Sequence, residues 1–129
     1  MKMLFMLVFV LSLFGCATGP TAIDFASADY GQVTKLEDIQ PKVIELMSVL
    51  LKDPDSAKYK WVSFKQGWVR DSILNGSQVH FGYELVVLVN AKNSYGGYAG
   101  FQLYDLLFYN GQITVVNQQQ PDGILLRIR

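Results

Sequence analysis

The chain is poor in the residues from which small active sites are usually made. Among its 129 residues there is one cysteine, Cys16, and one histidine, His80. A disulfide within one chain is thereby excluded, as are metal sites built on several cysteines. Eleven basic residues are balanced by eleven acidic ones, and no basic run rises above the scattered lysines of residues 52–65. Nucleic acid is therefore not expected as a partner. The apolar run of residues 3–14 falls short of the roughly 20 residues needed to span a bilayer. No internal repeat is evident, and the glutamines at 118–120 are too few for a low-complexity segment. The serines lie in no nucleophile context, and Gly96-Gly97 lacks the spacing and the Lys-Ser/Thr pair of a phosphate loop. Asp53 and Asp55 lack the further oxygen ligands and turn glycine of a calcium loop, and read instead as capping and turn residues. No catalytic residue, metal or cofactor is expected, and the chain reads as a non-enzyme.

What the chain does have is apolar patterning. Half of its residues are hydrophobic, enough for the core of one domain. Val79, Phe81, Tyr83, Leu85, Val87 and Val89 occupy every second position and so share one face of a strand, with His80 and Glu84 on the other. A helix is expected over residues 36–51, its start left open by Pro41, which suits a first turn and disrupts an interior. Val43, Ile44, Met47, Leu50 and Leu51 give it an apolar stripe. Residues 59–74 are rich in aromatic and β-branched side chains, but their alternation slips between Trp61 and Val62, and Gly67 interrupts it. One bulged strand or two short strands fit that pattern. Asn75-Gly76 and Asn110-Gly111 are type I′ hairpin signals, and residues 124–129 read as a short edge strand whose arginines, Arg127 and Arg129, discourage edge pairing. The order predicts an α+β fold, one amphipathic helix packed on a four- to five-stranded antiparallel sheet.

At the N-terminus, Lys2, the short apolar run and Gly15-Cys16 follow the order of a secretory signal. Leu13-Phe14-Gly15-Cys16 resembles the bacterial lipobox, with Phe14 standing where a small or β-branched residue is usual. The resemblance implies cleavage before Cys16, its lipidation and attachment to a membrane. Two or more acyl chains hold a protein there almost permanently. Ala17 in place of aspartate implies the outer membrane of a Gram-negative envelope, with the domain facing the periplasm. The expected organisation is a signal at residues 1–15, a lipidated end and tether at 16–33, along which Phe25 and Tyr30 are open to dock and shorten its reach, and one domain at 34–129.

The segments LKDPDSAKYKW at 51–61 and VNAKNSYGGYAGF at 89–101 together resemble a group of small, largely uncharacterised bacterial proteins, some with lipoprotein signals. Val86-Val87 stand where that group often carries a Cys-Gly pair. The resemblance implies a helix followed by strands and no activity. Within the second segment, Asn90, Lys92, Asn93, Tyr95 and Tyr98 offer amide donors and flat rings of the kind that hold peptides or sugars. Glycines shaping a hairpin while the tyrosines fold back on the sheet is the alternative. Asp105 interrupts an apolar strand, so a polar cluster with Glu84 and His80 is open to form across the sheet, or simple cross-strand pairing. Two non-catalytic functions remain: a binding or assembly module meeting another envelope protein or peptidoglycan, and an inhibitor or immunity lipoprotein acting against an envelope-targeting enzyme or toxin.

Overall fold

The computed structural model describes residues 19–129, so the segment expected to carry lipid at Cys16 lies outside the described residues. Helix α1 (Ala22–Ala26) and helix α2 (Leu36–Leu50) precede five strands: β1 (Asp53–Arg70), β2 (Val79–Lys92), β3 (Gln102–Tyr109), β4 (Gln112–Gln119) and β5 (Leu125–Arg127). The strands form one antiparallel sheet in sequence order. The predicted α+β class and meander are what the chain forms.

Strand β2 dictates the core. Leu85, Val87 and Val89 are buried and stand beside Leu106, Tyr104 and Gln102 of β3 in register. Leu106 in turn faces Val116 of β4. Helix α2 closes this face with Ile39, Val43 and Met47, spaced four apart and fully buried. Pro41 lies inside the helix, on its exposed side. As residue six of the helix it loses only a bond near the N-terminal end, where backbone donors are short of partners anyway. The apolar stripe is shifted from the predicted one: Ile44 is 48% exposed and Leu50 42%, while Leu36, Leu46 and Leu51 pack against the core beside Ile39, Val43 and Met47.

The slip in β1 is a bulge between Trp61 and Ser63, where the predicted break falls. Tyr59 and Trp61 pack on the core before it and Phe64 after it, so one extra residue keeps the aromatic side chains on the helix side. The strand begins earlier than expected, at Asp53, since Ser56 donates its hydroxyl to the Asp53 carbonyl and accepts from the Lys92 amide across the pair. Asn110-Gly111 makes the predicted two-residue hairpin, both residues at positive φ (51° and 70°). Asn75-Gly76 does not. The connection runs from Asp71 to Gln78 around a 3-10 turn at Ile73–Asn75, closed by a bond from the Asp71 amide to the Gln78 carbonyl.

Residues 19–33 are expected as a tether that Phe25 and Tyr30 would shorten by docking on the domain. They are docked. Thr21 and Asp24 form a reciprocal cap on α1, and Phe25 and Tyr30 meet Phe81 edge to face at 5.8 and 5.5 Å. The Tyr109 hydroxyl donates to Asp29 at 2.6 Å, the Gln32 amide to Asn110 Oδ1 at 2.8 Å, and Arg70 Nη2 to the Gly19 carbonyl at 3.0 Å. These partners are 51 to 80 residues away in sequence, out of reach of any local pattern.

Candidate functional site

Two places carry chemistry. The first is the loop between β2 and β3, where the five predicted contact residues lie. Asn93 organises it: its Oδ1 accepts from the amides of Tyr95 (3.0 Å) and Gly97 (3.2 Å), its own amide donates to the Gly97 carbonyl, and its carbonyl accepts from Gly96. Asn90 Oδ1 accepts from the Gly100 amide at 3.1 Å. Gly96 and Gly100 sit at φ of 81° and 99°, a region that L side chains seldom enter. The two asparagines thus spend their side-chain oxygens on the loop itself, which leaves their amide Nδ2 donors for contact.

The two tyrosines part company. Tyr95 is 97% exposed, its ring carried on the braced turn with no packing partner. Tyr98 folds back, its hydroxyl donating to the Ser56 carbonyl at 3.1 Å. The Lys58 ammonium stands 4.4 Å from the Tyr98 ring centroid and Lys92 5.8 Å, while Lys60 stands 4.1 Å over Phe101. Lys92 therefore joins Lys58 and Lys60 in a surface of cations and aromatic rings. Sequence alternation alone could not place the two β1 lysines there, since they come from the partner strand.

The second place is the sheet face away from α2. Glu84 and His80 of β2, Asp105 of β3 and Asn117 of β4 all point to it, with Asp105 directly opposite Asn117. Of the polar cluster open to form across the sheet, Glu84 and Asp105 come together, with Asn117, while His80 turns to Asp71. Asp105 is 8% exposed and Asn117 7%. Burial first, and then the neighbouring Glu84 charge, push the Asp105 carboxyl up to about 6, against a hydrogen bond from Asn117 that lowers it. Asp105 Oδ1 has no hydrogen-bond partner.

The sheet rolls at this end until its edges meet. Asp71, just past β1, accepts from His80 Nε2 at 2.8 Å and pairs through its other oxygen with Arg127 of β5. Those hydrogen bonds, from His80 first and then Arg127, hold the Asp71 carboxyl below the usual carboxylate range. The bend is permitted by Gly67 and Gly82, which face each other across β1 and β2. A Cβ on Gly67 would stand 2.6 Å from Glu84 Cβ, and one on Gly82 would collide with the Phe108 carbonyl. A cavity of about 570 Å³ lies between the joined edges, lined among others by Trp68, Val69, Arg70, Asp105, Asn117 and Leu126. Sequence reading marked Asp105, Glu84 and His80 but missed Asp71, Arg70 and Arg127, which only the roll brings near.

Among the described residues no three His, Cys, Asp or Glu side chains are grouped to hold a metal, and no helix is long and apolar enough to cross a membrane. The fold and these two places define an α+β domain with a braced, aromatic-tipped loop at one end and an open, largely apolar cavity holding Asp105, Asn117 and Arg70 at the other. No family model matches the chain, and neither a curated protein nor a solved structure matches it.

Proposed function

We propose that the chain is a membrane-anchored lipoprotein of the bacterial cell envelope that acts by binding or assembly and not by catalysis. Cys16 carries the lipid, the outer membrane holds it, and the domain faces the periplasm. The observation that supports a binding role is Tyr95: a ring left 97% exposed on a turn whose backbone is locked by Asn93. A rigid, exposed aromatic loses little conformational freedom on contact and brings a large apolar area to it. The lysines over Tyr98 and Phe101 give the base of the same loop positive charge, which suits a partner with acidic or carbonyl groups, such as an envelope protein or peptidoglycan.

Two variants of the full chain test this in the native envelope. Cys16→Ser is expected to abolish acyl labelling and to release the protein from the membrane fraction. Unchanged labelling and retention would refute the anchor. Tyr95→Ala is expected to leave the melting temperature unchanged, since exposed substitutions stay within about 0.5 kcal/mol, while cross-linking to the envelope partner is lost. Cross-linking that survives the truncation would remove this loop from the function.

A further inference from the structure

Among the described residues two buried side-chain polar atoms lack a hydrogen-bond partner, Asp105 Oδ1 and Arg70 Nε. Both residues line the same cavity. They carry opposite charges and do not pair with each other, for the ion pairs among the described residues are those of Asp71 with His80 and with Arg127. Arg70 spends Nη1 on the Ser77 carbonyl at 2.9 Å and Nη2 on the Gly19 carbonyl at 3.0 Å. These two bonds go to neutral oxygens, and the Asp24 carboxylate lies near enough to feel the guanidinium charge without bonding it. Native interiors leave few such atoms, and each that remains calls for an explanation.

We propose that this cavity binds a small zwitterion of amino-acid or dipeptide size, its ammonium held by Asp105 and its carboxylate by Arg70. A volume of about 570 Å³ falls within the roughly 300–1,000 Å³ of small-molecule sites. Trp68, Val69, Leu125 and Leu126 give it apolar walls for an organic body, which a bare inorganic ion would not need. The last torsion of Asp105 is a broad sp³–sp² well, so its carboxyl can turn at small cost to meet the ammonium. Glu84 beside it adds negative charge, so an ammonium relieves both the burial and the repulsion that raise this carboxyl. Arg127 does not compete, because Asp71 already holds it. The site belongs to the fold and does not rest on the envelope reading.

The test is calorimetric titration of the full chain in detergent with L-leucine and with L-leucyl-L-alanine, each alongside its N-acetyl and C-amide forms. One of the zwitterions is expected to bind, and capping either end is expected to weaken it roughly tenfold or more, the size of a lost hydrogen bond to a charged group. Asp105→Asn and Arg70→Gln are expected to weaken the same ligand by a similar factor. If Arg70→Gln fails to fold, the capped ligands on the unaltered chain still decide. Equal affinity for capped and free forms, or no heat from either zwitterion at millimolar concentration, would overturn the assignment.

Discussion

The two faces of the sheet use the same strands to opposite ends. On the helix face Leu85, Val87, Leu106, Phe108 and Val116 are closed by Ile39, Val43 and Met47, with the Tyr104 hydroxyl accepting from Gln118 at the margin. On the other face the intervening residues are Glu84, Asp105, Leu107 and Asn117, and what closes them is the sheet's own roll, fastened by Asp71. The first face is stabilised by apolar burial, roughly 25 cal/mol per Å². The second holds a carboxylate that folding would prefer to discharge. Polar groups held buried without a partner are a cost to stability, and such costs are expected where a protein keeps a site.

That contrast can be broken from either side. Phe108→Ala on the helix face should cost about 3–5 kcal/mol, because the fully buried ring leaves a cavity that the packed helix cannot fill. Chemical denaturation with an unchanged m-value would show it; a loss under 1 kcal/mol would mean the helix closes less tightly than the packing implies. Gly82→Ala should cost about 1–3 kcal/mol through collision with the Phe108 carbonyl and should unroll the cavity end. The check is a fall in melting temperature together with a change in Trp68 fluorescence.

Asp105→Asn should act in the other direction. The folded carboxyl titrates near 6 against the ordinary 3.8, so between those values the folded chain holds the extra proton. The wild type therefore loses stability as pH rises from about 4 to 6. The amide has no such loss, and the variant should gain about 1–3 kcal/mol at neutral pH and nothing at pH 4. Parallel denaturation curves at the two pH values would measure it, and equal effects at both would mean that charge is not what Asp105 contributes.

Much of the helix face was legible in the sequence, since its information is local: alternation in β2, the Asn110-Gly111 turn and the slip at Trp61 each lie within a few residues. The opposite face was half legible. Asp105 stands out as a polar break in an apolar strand, but its closure depends on Asp71 reaching Arg127, 56 residues on. The Asn75-Gly76 signal failed for a related reason. Asp71 and Ser72 bond to Gln78, Asn75 and Ser77, and these turn bonds compete successfully with a tight hairpin.

The docking of Gly19 onto Arg70 sets a geometry for the whole molecule. If Cys16 bears the lipid, three residue steps separate it from a point already fastened to the domain, and three steps reach at most about 10 Å. A domain on so short a leash cannot roam; it rests against the headgroups with one end down. That end is where Arg70 pairs with Val79, and the opposite end of the same hairpin is where Asp53 pairs with Lys92. Strand β2 covers the interval in 14 residues, about 45 Å when extended. On that anchoring the cavity opens beside the lipid, while Tyr95 is held out at the far tip, away from the membrane.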